Sequence, residues 1–209
     1  VENGQTLGTR GIIIDITESK RAEESLLINE RRLETLVKIS KMSFSSLKLL
    51  TDYIIVECMT LTSSVSGFLC LINHADSTVE LIAWRKTGDI SDGTASYRIV
   101  LPLETKGPWS AALSARVPVI LNDASELSGY GSLPGGFRPQ HRHLQVPVYY
   151  RNRIVAIAGV SDKVENYDDS DARQMTLLMN EIYRIIQQKS HDKEISDEKE
   201  KLDVTLRSI

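Results

Sequence analysis

The chain of 209 residues carries 28 acidic and 25 basic side chains, a net charge of −3, which excludes the basic excess of a dedicated nucleic-acid surface. Its 41% hydrophobic and 25% charged residues are ordinary for a soluble globular protein, long enough for one good core with extensions or for two small domains. No apolar run approaches the roughly 20 residues of a membrane span, and no leader peptide is legible, so direct membrane contact is not expected and the cytoplasm is the expected compartment.

In chain order, Gly11 and the β-branched run Ile12-Ile13-Ile14 read as a buried strand that turns at Asp15-Ile16-Thr17 into a charged helix. Asp15 or Thr17 can cap that helix, but Thr17 is followed three residues on by Lys20, so no full capping box is present. From Glu18 to Leu50 no Pro or Gly interrupts a helical pattern in which Leu26, Leu33 and Leu36 or Val37 share one face. So narrow a stripe suits a parallel two-stranded seam, continuing into an amphipathic helix over Leu47 to Leu61.

The period then changes. Gly67 to Asn73 and Val79 to Arg85 flank the turn His74-Ala75-Asp76-Ser77 as a β-hairpin, and Tyr97 to Leu103 is a third strand. Pro108 suits the first turn of a short helix through Leu113, and Val117 to Leu121 is strand-like. A long irregular segment begins at Asn122. A second hairpin, Leu144 to Tyr150 and Ile154 to Val160, closes on Arg151-Asn152-Arg153. A last helix begins near Asp171 and carries Met175, Leu178, Ile182, Ile185 and Ile186 on one side. Ile195, Leu202 and Ile209 then recur every seven residues, a second coiled-coil signal.

The segment Gly11 to Glu24, with its Asp15-Ile16-Thr17-Glu18-Ser19-Lys20, resembles the last strand and exit helix of a PAS sensor domain. That resemblance implies a slice from a larger signalling protein. The central residues resemble the GAF sensor family through Gly67-Phe68-Leu69-Cys70-Leu71-Ile72, Trp109 with Val117 to Asp123, Val146-Pro147-Val148, Ile154 to Val160, and Tyr167-Asp168-Asp169-Ser170-Asp171. The similarity is to GAF domains of multi-sensor histidine kinases from bacteria and methanogenic archaea, where a Leu-Pro-x-Gly segment, here Leu133-Pro134-Gly135-Gly136, precedes the Val-Pro-Val strand.

The expected fold class is α+β: a GAF-like antiparallel sheet of five or six strands with helices on one side and a pocket on the other, flanked by long coiled-coil-like helices. The expected division is a PAS tail over 1–18, a helical linker over 19–46, the GAF domain over 47–189 and an exit linker over 190–209. A parallel homodimer, a downstream kinase domain in the same full-length chain and an unknown small molecule are the expected partners.

Candidate ligand-binding residues are Trp109, Asn122, Phe137, His141, Arg142 and His143, which the resemblance places around a pocket between the sheet and the segment from Asn122 to His143. The histidines there could meet an anion, titrate near neutral pH, supply an axial haem ligand (His143 or His141), or simply face solvent. Trp84, Tyr97 and Tyr130 could also line the cavity, although core packing explains them equally well. The cyclic-nucleotide signature of the family is matched only in part, by Asp162-Lys163, Tyr167 and Asp171, and its Lys–Asp pairing can be structural. Bilin attachment lacks a cysteine between Tyr97 and His143.

An enzyme is the rival class, because GAF-like folds include a cysteine-dependent reductase of free methionine sulfoxide. Cys58 and Cys70 are the two cysteines here, and their apolar neighbours make them buried thiols rather than catalytic or zinc-binding ones. No kinase motif is present either, since His191 lacks the context of a phosphoacceptor. A ligand-free dimerisation module is the third reading.

Overall fold

The computed structural model describes residues 15–42, 47–87, 99–123 and 141–207. Residues 1–14 of the PAS-like tail, with its expected strand, and Tyr97, Tyr130, the Leu133 to Gly136 segment, Phe137 and Ile209 lie outside the described residues.

Six strands form one antiparallel sheet: β1 (Ser66–Asn73), β2 (Thr78–Lys86), β3 (Ile99–Pro102), β4 (Val119–Leu121), β5 (His143–Tyr150) and β6 (Arg153–Ser161), in the order β3-β2-β1-β6-β5-β4. Both expected hairpins form. The second turns on Arg151 and Asn152, both at positive φ (46° and 65°), the backbone hand that matches strand twist in a two-residue connection.

Among the described residues four helices accompany the sheet: α1 (Thr17–Lys41), α2 (Leu47–Leu61), α3 (Ser110–Ala115) and α4 (Asp169–Arg207). The uninterrupted helix expected from Glu18 to Leu50 is divided, because Met42 leaves α1 with an extended ψ of 140°. Ile16, not Asp15 or Thr17, is the N-cap of α1 and makes no side-chain cap bond; Asp15 just before it accepts the Thr17 amide at 2.9 Å, and the Thr17 hydroxyl, with that amide, holds the Asp15 carboxyl below its usual range. Pro108 sits before α3, outside its first turn, with Trp109 as the N-cap.

Alternation along the strands divides the core in two. One face presents Leu69, Leu144, Val146, Val148, Ala156, Ala158 and Val160 to α1, α2 and α4. The other presents Phe68, Cys70, Val79, Leu81 and Ile157 to Trp109 and Ala112 of α3, so the helices do not all gather on one side. Gly159 makes the second face possible. A Cβ built there would fall 2.1 Å from Cε1 of Phe68, so only a hydrogen lets that ring lie on the strand.

α1 and α4 run side by side in the same direction. Arg32 Nη1 donates to Gln174 Oε1 at 2.8 Å, and further along Lys189 Nζ donates to the Met42 carbonyl at 2.9 Å. Ile39 and Thr35 of α1 are buried, Leu36 packs on the core, and Leu26, Leu33 and Val37 stay exposed. The choice between Leu36 and Val37 for the outer stripe thus falls to Val37. α4 continues past Lys189 to Arg207, eighteen residues or about 27 Å of helix.

Candidate functional site

The described candidates Trp109, Asn122, Arg142 and His143 make contacts within the fold, while Phe137 lies outside the described residues. Trp109 is 1% exposed beneath α3. Its indole Nε1 has no partner among the described residues. His143 is fully buried and stacks on Phe68, with ring centroids 5.8 Å apart and 19° between planes. Its Nε2 lies 3.0 Å from the Pro108 carbonyl, and its Nδ1 lies 2.8 Å from the Ser161 hydroxyl and 3.1 Å from the Val160 carbonyl. Burial lowers its pKa to about 4, against the carbonyls of Pro108 and Val160 and the charge of Asp162, which pull it up. Both ring nitrogens of His143, one of the two expected axial haem ligands, are engaged by protein atoms in this structure. Its burial comes from register. His143 pairs with Ser161 as the first residue of β5, so alternation turns it under α3.

Asn122, at the end of β4, grips the backbone of Tyr167 from both sides: Nδ2 donates to the carbonyl and Oδ1 accepts the amide, each at 2.9 Å. His141 has an exposed side chain, and its amide donates to Asp162 Oδ1. Arg142 donates through Nε to Asn166 Oδ1 at 2.9 Å and through Nη1 to the Lys163 carbonyl at 3.2 Å. These three residues therefore hold residues 162–167, the strap between β6 and α4.

The same strap contains the partial cyclic-nucleotide signature, and here its charges are spent on structure. Lys163 Nζ lies 3.1 and 2.8 Å from the two carboxylate oxygens of Asp171. Asp168 Oδ1 accepts the amides of Ser170 and Asp171 while Asp171 Oδ2 accepts that of Asp168, a capping box with aspartate at both ends. Tyr167 buries its hydroxyl against Ser64 Oγ at 2.6 Å, and burial raises its pKa.

An unfilled space lies on the opposite face of the sheet. A cleft of about 440 Å³ opens between α2, α4 and strands β1, β2 and β6. Ile54, Leu71, Ile82, Val155, Met179 and Ile186 form its apolar walls, while Asn73, His74, Glu80 and Gln187 contribute polar edges. His74 Nε2 is 2.7 Å from the Ile154 carbonyl, which fixes the ring. Sequence reasoning missed this cleft. One signal was available: the apolar face of α4 runs on through Tyr183, Ile185 and Ile186, all only partly buried.

The two thiols lie in the core. Burial, helped by the Glu57 charge, pushes Cys58 up to about 12; burial likewise raises Cys70, although a bond to the Ile157 carbonyl opposes it. Neither has thiolate character near neutral pH. Among the described residues no helix is long and apolar enough to cross a membrane.

Comparison with known proteins agrees with this architecture. The chain is 37% identical over 202 residues to a methyl sulfide methyltransferase-associated sensor of Methanosarcina acetivorans, covering 93% of this chain and 20% of that protein. It thus spans about a fifth of that relative's length. Among solved structures it is similar to the GAF domain of an Acinetobacter phosphoenolpyruvate-protein phosphotransferase (TM-score 0.63, 16% identity, 78% of this chain and 93% of the other). It is also similar to the free methionine-R-sulfoxide reductase of Neisseria meningitidis, solved with its substrate (TM-score 0.58, 11% identity, 79% and 93%). At such identities these likenesses establish the fold alone. The sequence model of the GAF domain matches residues 45–187, well over half the chain, and the protein belongs to the GAF family.

Proposed function

We propose that this chain is the sensory segment of a cytoplasmic multi-sensor histidine kinase, in which residues 1–18 end a PAS domain and the GAF domain passes its state to a kinase region further along. The observation that carries this reading is the parallel course of α1 and α4, tied at Arg32–Gln174 and at Met42–Lys189. A helix that arrives at one end of the domain and another that leaves at the other form a through-going rod. Any change that shifts one against the sheet biases the other.

The relay works as a parallel homodimer. Leu26, Leu33 and Val37 are 70%, 59% and 50% exposed and spaced by seven and four, the a/d rhythm of a two-helix seam. The 37% identity to a protein named as a sensor supports the same role. A non-catalytic domain is favoured over a reductase because Cys58 and Cys70 are both buried, leaving no accessible thiolate among the described residues.

Sedimentation equilibrium tests the relay. The 209-residue chain is expected to associate as a dimer, and Leu33→Glu to weaken that association by at least about tenfold while the monomer stays folded. A wild-type chain that stays monomeric at every concentration overturns the dimeric relay.

A further inference from the structure

We propose that the tip of the β5–β6 hairpin, with the C-terminal end of α3 beside it, is a docking surface for an acidic protein segment. Arg116, Arg151 and Arg153 are all exposed there, and among the described residues no carboxylate pairs with any of them. In a chain whose net charge is −3, three such cations at one edge are a local excess of the opposite sign.

Two of the three stand where the backbone resists them. Arg116 closes α3 at φ 59°, the left-handed position that glycine usually takes. Arg151 opens the hairpin turn at φ 46°, where asparagine, aspartate or glycine is usual. Both guanidinium groups are held on aromatic rings. That of Arg116 lies 5.8 Å from the centroid of the Tyr149 ring and donates through Nη2 to the Asn152 carbonyl at 3.3 Å, while the Tyr149 hydroxyl donates to the Arg116 carbonyl at 2.6 Å. That of Arg151 lies 5.2 Å from the centroid of the Tyr150 ring. A guanidinium stacked on a ring gives up less freedom when it meets a carboxylate, and its remaining N–H groups can make the two-pronged contact that carboxylates favour.

Placement selects the kind of partner. Alternation turns Tyr149 toward the α3 side of the sheet and Tyr150 toward α4, whose Tyr183 ring lies 5.7 Å away. The cations thus surround the tip, and none of them lines the cleft on the α4 face. A small anion meets one side of the tip, whereas a segment bearing several carboxylates can cross it and meet all three arginines. Tyr150 and Val117, 38% and 54% exposed, supply apolar contacts beside the charges. Arginine and tyrosine are residues that protein interfaces favour, and nucleic-acid binding draws on a longer basic track than three side chains of an acidic chain provide. Through Tyr150 and Tyr183 a seated partner bears on the outgoing helix, a consequence that rests on the proposed relay.

Fluorescence anisotropy of the 209-residue chain with a labelled peptide of alternating glutamate and leucine, against its glutamine counterpart, tests the surface. The acidic peptide is expected to saturate, to bind at least about tenfold more tightly than the glutamine peptide, and to weaken as salt is raised. Arg116→Gly together with Arg151→Asn is expected to weaken it by about tenfold or more with the chain still folded, since each replacement suits its backbone position. Arg153→Thr, within the strand, is expected to weaken it by about threefold, and it decides alone if the double variant does not fold. Absence of saturable binding overturns the proposal, as does equal affinity for the glutamine peptide or undiminished affinity in the variants. Tighter binding to phosphatidylserine vesicles or to duplex DNA than to the peptide assigns the surface to another partner and also overturns it. A monomeric chain that still binds the peptide sinks the relay alone, whereas a dimer without saturable binding sinks the docking surface alone.

Discussion

The two faces of the sheet are built from the same strands and end in opposite conditions. Beneath α3, Trp109, Phe68 and His143 fill the space, and His143 is hydrogen-bonded at both ring nitrogens. On the other face α2 and α4 pack on the sheet yet leave a cleft of about 440 Å³ between them. The difference lies in what each helix can reach. The N-cap residue of the six-residue α3 lays one large aromatic onto the strands, whereas the aliphatic side chains of α2 and α4 only partly close the space over the other face.

Truncation at the filled face should break the comparison most sharply. Trp109→Ala is expected to destabilise by about 4 kcal/mol, the cost of a large cavity in a closed core, read from the denaturant midpoint. A loss below about 1 kcal/mol would mean that the α3 face is itself loose, and the contrast between the faces would disappear.

The buried imidazole gives the filled face a pH signature. His143 has a folded pKa of about 4 against 6.5 for the exposed group, so between those values the unfolded chain binds a proton that the folded chain refuses. Stability is therefore full above about pH 6.5, falls as pH drops toward 4, and gains no further loss from this residue below that. The interval of 2.5 units corresponds to about 3 kcal/mol. Because other groups also contribute to the pH dependence, the informative quantity is the difference between the wild type and His143→Gln, whose stability should lose that slope. Parallel pH profiles for the two would show that His143 is not held neutral.

Asn122 links the end of β4 to the start of α4. Replacing it with Ala removes two bonds to the Tyr167 backbone, at about 1 kcal/mol each, so a loss of about 2 kcal/mol is expected by thermal or denaturant unfolding. Faster amide exchange at Tyr167 and in the first turn of α4, with the β1–β2 hairpin unaffected, would show that the strap is held from this point. Unchanged exchange there would remove Asn122 from that role.

Most strands and helices could be read from the sequence because they depend on period and punctuation. The run from Gly67 and the turn at His74 to Ser77 specify the first hairpin, and Leu47–Leu61 is both the expected and the observed span of α2. The candidate site was not readable in the same way. His141, Arg142 and His143 could be named as candidates, but nothing local reveals that the third would meet Pro108 from a distant turn while the second turns to Asn166. Bulges at Ile82 and Val155 are equally invisible, because they depend on how two strands are paired rather than on either strand's own pattern. Where function depends on long-range register, residue types name the candidates without placing them.

The smallest expected effect bears most directly on the cleft. Ile186 is half-buried on the exit side of α4, so Ile186→Ala removes a side chain that already faces open space and should destabilise by only about 1 kcal/mol. A cost near that of Trp109→Ala, read from the same denaturant midpoint, would reveal a closed core at Ile186 and would end the contrast between the two faces. Weak destabilisation is the result that separates open space from close packing, because the same truncation inside a filled core would leave a cavity and its full cost.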